Sequence, residues 1–106
     1  SMPSHYYCMS ICGPEGIWWY KGGITANLQN RLMRIRNSLS NSNLALDIDI
    51  LDSIFFEDGW VAQEFELKLL RVKSIREKTR EKFDGSSELF SVNPIEYARE
   101  NGWLDR

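Results

Sequence analysis

Apolar and polar positions alternate along the chain in a readable succession of elements. The run Tyr-Tyr-Cys-Met-Ser-Ile from Tyr6 to Ile11 is aromatic and apolar and suits a strand. Cys12-Gly13-Pro14-Glu15-Gly16 offers the glycine and proline dihedrals of a reversal. Ile17–Lys21 then reads as the return strand of a hairpin, which Gly22-Gly23 breaks. Leu28, Leu32, Ile35 and Leu39 recur at intervals of four, three and four, one face of a helix over about 28–39, with Thr25 or Asn27 as N-cap. After a polar loop, Leu46-Asp47-Ile48-Asp49-Ile50-Leu51 alternates like a strand with one wet side and continues to about Phe56. Glu57-Asp58-Gly59 turns into a second helix from about Trp60, which carries Val61, Ala62, Phe65, Leu69 and Val72 and extends toward Lys82. A loop over 83–87, a short strand Glu88–Ser91 and a last helix, opened by Pro94 and ending near Asn101-Gly102, complete the order. The succession predicts an α+β fold, a three-stranded antiparallel sheet flanked by helices, in a single domain over 1–106, with Ser1-Met2 left over from cloning.

With 106 residues and 26% of them charged, the chain holds one modest core and reads as soluble and globular. Its net charge of −2 excludes a polycation that binds by bulk charge, but says nothing of distribution. Seven of the 13 basic residues lie between Lys68 and Lys82, and Arg31, Arg34 and Arg36 bring ten of them into two segments. Arg34, Arg71, Lys73, Arg76, Lys78, Arg80 and Lys82 are therefore candidate phosphate contacts; the competing reading is a solvated helix face with pairs such as Lys73–Glu77. Cys8, Cys12 and His5 are too few for a closed structural zinc site. On one strand the two cysteines would lie about 13 Å apart, beyond disulfide reach, so they read as reduced thiols. No stretch approaches the roughly 18 apolar residues of a membrane span and no secretory leader opens the chain, which predicts a cytoplasmic protein without a membrane partner.

One segment carries more than periodicity. Trp19-Tyr20-Lys21-Gly22-Gly23-Ile24-Thr25-Ala26-Asn27-Leu28, with Arg31 eight residues after Gly23, resembles the second motif of the GIY-YIG nuclease superfamily, in its phage and bacterial Lys-x-Gly branch. Tyr6-Tyr7 falls where the first motif stands, Ala62-Gln63-Glu64-Phe65-Glu66 matches the helix that bears the family's acidic residue, and Gly85-Ser86-Ser87-Glu88-Leu89-Phe90 looks like a later segment of the same branch. The resemblance covers about residues 5–92 and rests on the order and spacing of four motifs together.

That resemblance implies an endonuclease that hydrolyses phosphodiester bonds in DNA with Mg²⁺ or Mn²⁺. Tyr7, Lys21, Arg31 and Glu66 would be the catalytic residues and Glu66 the metal ligand. Such chemistry needs a proton acceptor for water, a cation on the phosphate charge and a largely hydrated Mg²⁺, which takes only one or two protein carboxylates. Arg31 can fork two phosphate oxygens, and Tyr7 or Lys21 can take the proton.

The chain departs from the pattern in four places. His5-Tyr6 replaces the Gly-Ile before Tyr7, the span from Tyr7 to Lys21 is long, Gly22 fills an apolar slot, and no residue clearly matches the family's later Asn. Asn93 is the nearest in sequence, and Glu88 occupies a comparable region. Tyr20-x-Gly22 is a competing register, but it sets Arg31 nine residues on. These departures leave a second expectation open. It is a catalytically silent domain that uses the same basic face on nucleic acid or a protein partner, for instance a phage modulator of host defence.

Overall fold

A strand buried on both faces has to run inside a sheet that is covered on both sides. β1 (Ser4–Gly13) is such a strand, with every residue from Tyr6 to Ile11 buried. The computed structural model describes residues 1–105. In it β1 pairs antiparallel with β2 (Gly16–Thr25) and with β3 (Asp47–Phe56). Two short strands, β4 (Arg76–Glu77) and β5 (Leu89–Phe90), extend the sheet past β2 in the order β3-β1-β2-β5-β4.

The period-two alternation of β1 divides the core. Tyr7, Met9 and Ile11 point to one face, where α1 (Leu28–Ser40) lays Leu32, Ile35 and Leu39 over them. Tyr6 and Cys8 point to the other, against Phe65 and Leu69 of α2 (Gly59–Leu70) and Ile95 and Ala98 of α3 (Pro94–Glu100). Each fully buried aliphatic side chain contributes about 1.5–3 kcal/mol, so the three on α1 account for most of what holds that helix down. Asn27, not Thr25, caps α1, its side chain accepting from the Asn30 amide at 3.0 Å.

The α+β class is as expected, with three differences of detail. The sheet has five strands and not three, because the chain after α2 doubles back and its two short strands close on the edge of β2. Gly22-Gly23 does not break β2, which continues to Thr25; both glycines pair with β1, and the room their missing side chains leave is filled by the tyrosine hydroxyls of β1. Finally, α2 ends at Leu70 and does not reach Lys82. The Arg76 guanidinium takes the Leu70 carbonyl at 2.7 Å and the Ser87 carbonyl at 2.7 Å, a clip that satisfies a helix-end acceptor and folds the segment back. Beyond a 3₁₀ turn at Lys73–Ile75, residues 78–88 are therefore an irregular loop, anchored by Phe83 stacking on Trp19.

Candidate active site

Antiparallel pairing sets Lys21 beside Met9 and Gly23 beside Tyr7, so Lys21 shares the α1 face with Tyr7. Tyr20, the competing register, points to the opposite face. Lys21 is fully buried, and each of its ammonium protons has an acceptor: Glu88 Oε1 at 3.0 Å, the Tyr7 hydroxyl at 3.3 Å and the carbonyl of Gly22. Arg31, one turn into α1, donates from Nη1 to the same Tyr7 hydroxyl at 3.3 Å. Two cations from different elements thus meet at one phenolic oxygen.

Glycine makes this convergence sterically feasible. A Cβ at Gly23 would lie 2.5 Å from the Tyr7 hydroxyl, and one at Gly22 would lie 2.2 Å from that of Tyr6. Gly85, at φ +85°, carries the loop across Lys21 so closely that a Cβ there would lie 2.0 Å from its Cε. Its conformation and its clearance both require glycine.

Glu66 reaches the cluster from α2, half-buried. Burial, first, and then the adjacent Glu88 carboxylate raise its carboxyl above the ordinary value, with a hydrogen bond to Glu88 adding to this; Lys21 and Arg31 pull it back. Lys21 and Arg31, which both bond to Tyr7, thus act electrostatically on Glu66, and the four residues expected at the site come from β1, β2, α1 and α2. Among the described residues no group of three or more His, Cys, Asp or Glu side chains that could hold a metal ion stands together; at the cluster a divalent cation would find the carboxylates of Glu66 and Glu88. Carboxylate oxygens suit Mg²⁺ or Mn²⁺, and an orphaned buried hydroxyl, that of Tyr6, lies beside them; the residues fit such an ion.

Two groups escaped the sequence reading. Glu88 stands in the Gly85–Phe90 segment of the resemblance and in the region of a missing Asn, but without an assigned role, and nothing in its local pattern signals the ion pair with Lys21 across 67 positions. Tyr6 reads as a strand aromatic, and its hydroxyl becomes notable only once seen buried without a partner. Asn93, by contrast, is accounted for as the N-cap of α3, accepting from Ile95 and Glu96 amides at 2.9 and 3.2 Å.

The remaining basic candidates divide. Arg34, Arg71, Lys73, Lys78, Arg80 and Lys82 are exposed, the last five along the chain that follows α2. Arg76 is half-buried, its guanidinium held by two carbonyls and lying over the Phe90 ring at 5.9 Å. A broad surface groove lined by Phe56, Val61, Leu67, Lys68 and Trp103 lies on the outer side of α2, and it contains no residue of the Tyr7–Lys21–Arg31–Glu88 cluster. The polar cluster is the better site because there a fully buried lysine meets a carboxylate, a phenol and a second cation. No helix among the described residues is long and apolar enough to cross a membrane. Comparison with known proteins finds no family model, no curated protein and no solved structure that matches this chain.

Proposed function

We propose that this chain is a divalent-metal-dependent endonuclease that hydrolyses phosphodiester bonds in DNA. The observation that carries the reading is the meeting of Lys21 and Arg31 at the Tyr7 hydroxyl, with Glu66 alongside. Tyr7 is the group that handles the proton of the attacking water, with Lys21 and Arg31 both donating to its oxygen. Lys21 is held in place by three acceptors, Glu88, Tyr7 and the Gly22 carbonyl, and braces the Tyr7 hydroxyl. Arg31, only partly buried, turns its free guanidinium edge to the phosphate as charge builds. Glu66 holds the metal, and a bound Mg²⁺ or Mn²⁺ supplies Lewis-acid stabilisation of the phosphate charge. The exposed cations Arg34, Arg71, Lys73, Lys78, Arg80 and Lys82 contact the DNA backbone, while Arg76 holds the loop in place. Glu66→Gln should abolish nicking of supercoiled plasmid and leave the circular dichroism spectrum unchanged; undiminished nicking would remove Glu66 from the mechanism.

One observation favours a second reading. Tyr7 and Lys21 both have 0% exposure, so water reaches the Tyr7 hydroxyl only if the groups above it move. A silent domain would keep the same network as a buried polar brace and use its exposed cations to bind nucleic acid or a protein. Such a domain binds DNA and never cuts it.

A further inference from the structure

We infer that Glu66 and Glu88 together form the seat of one divalent cation, and that the buried Tyr6 hydroxyl is the outer partner that orients these carboxylates. The inference rests on the endonuclease reading for the use of the ion, but the seat itself is argued from Glu88, Glu66 and Tyr6.

Glu88 is fixed at two points. Its carbonyl accepts from the Gly22 amide at 3.2 Å, and Lys21 takes its Oε1 at 3.0 Å. Lys21 occupies one of its two oxygens, so the carboxylate can still serve a second cation. Glu66 makes no ion pair among the described residues, although it lies close enough to Glu88 for a hydrogen bond between the two carboxyls. Two carboxylates in that proximity repel unless a proton or a cation sits between them. All the donors are oxygens, which select a hard ion, and Mg²⁺ takes one or two carboxylates and completes its shell with water.

Tyr6 supplies the independent observation. Its side chain is 1% exposed, yet its hydroxyl has no hydrogen-bond partner, a situation that costs about 1–3 kcal/mol. The ring packs edge-on against Phe65, the residue before Glu66, with centroids 5.1 Å apart. The hydroxyl lies at Gly22, whose amide binds Glu88, and both carboxylates act electrostatically on it. An unpartnered donor next to an acidic pair is a second contact waiting for its acceptor, and such outer contacts orient metal-binding carboxylates.

The charges support the same seat. Lys21 and Arg31 balance Glu66 and Glu88, so without an ion the cluster offers no net attraction to phosphate. A divalent ion leaves it doubly positive, the complement of a phosphodiester that becomes a dianion at its transition state.

The probe is Mn²⁺ alone, titrated without DNA into the full chain while the signal of free aqueous Mn²⁺ is followed by electron paramagnetic resonance. One ion should bind per chain. Glu66→Gln and Glu88→Gln should each weaken it tenfold or more, Tyr6→Phe by about tenfold, and Glu64→Gln, on the exposed side of α2, not at all. Thermal melts of each variant separate loss of the seat from loss of the fold, and the near-isosteric Gln keeps the test open if Tyr6→Phe unfolds. Wild-type affinity in Glu88→Gln, or no Mn²⁺ bound by the folded wild-type chain, overturns the inference. The first result leaves the endonuclease reading standing if Glu66→Gln still abolishes nicking. Mn²⁺ binding that depends on both glutamates in a chain that never nicks DNA leaves the seat standing and removes the nuclease.

Discussion

Tyr7 accepts from Lys21 and Arg31 at once; Gly23 leaves the room its ring needs and Gly85 the room Lys21 needs. If Tyr7 handles the proton, Tyr7→Phe should lower the rate of plasmid nicking by about 10²–10⁴-fold with DNA affinity preserved; a nicking rate equal to wild type would assign the proton to another group. Gly85→Ala combines a left-handed backbone with a collision against Lys21, and chemical denaturation should show a loss of more than about 1 kcal/mol. A different residue reports on burial alone. Burial, and after it the charges of Asp52 and Glu96, push the Cys8 thiol up to about 12. At pH 8 about one Cys8 in ten thousand is then a thiolate, and only the thiolate is alkylated. Mass spectrometry of the folded protein treated with iodoacetamide should find Cys12, which is partly exposed, modified first and Cys8 protected until denaturant is added. Tyr7, Lys21, Arg31 and Glu66 are singled out in the sequence by a resemblance alone; in the structure Lys21 and Arg31 meet at the Tyr7 hydroxyl and act on Glu66. The role of Glu88 was not legible in the sequence, since the contact that gives it meaning is an ion pair between β2 and a loop 67 positions away.

At the scale of elements, the three long strands and three helices follow from patterns that are local: strict alternation in β3, intervals of three and four in α1, Pro94 opening α3. What local pattern could not give is the end of α2. Val72 and Ile75 continue the helical period, and the charges between them look like an exposed face, yet the Arg76 guanidinium bonds back to Leu70 and the chain leaves the helix. That is a tertiary contact overriding propensity. The basic segment is consequently an exposed loop that carries Arg71, Lys73, Lys78, Arg80 and Lys82 and not a rigid face. Reversing three of these charges should weaken DNA binding and reduce the salt slope by about 0.9 for each phosphate no longer neutralised; an unchanged slope would mean the loop does not touch DNA. Asn93 belongs to the same scale. Its side chain holds the first amides of α3, so Asn93→Ala should cost about 1 kcal/mol in thermal or denaturant unfolding and leave nicking unchanged in the folded protein.

Over the whole molecule, one central strand organises everything. β1 sends Tyr7 to the face of α1 and Tyr6 to the face of α2, and each hydroxyl ends beside a glycine of β2. The two helices that carry Arg31 and Glu66 lie on opposite faces of the sheet, and Glu88 bonds to β2 through the Gly22 amide and Lys21. The net charge of −2 conceals this arrangement, because the acids and bases that matter are paired inside it. Plasmid nicking shows whether the cluster cuts phosphodiester bonds. Supercoiled DNA is incubated with the wild-type chain in Mg²⁺, in Mn²⁺ and in EDTA, beside Arg31→Ala, with binding measured on the same samples. Nicked circles are expected with either metal and none in EDTA, and a rate about 10²–10³-fold lower for Arg31→Ala at nearly unchanged affinity. DNA that is bound by the wild-type chain and remains supercoiled with both metals would contradict the endonuclease reading.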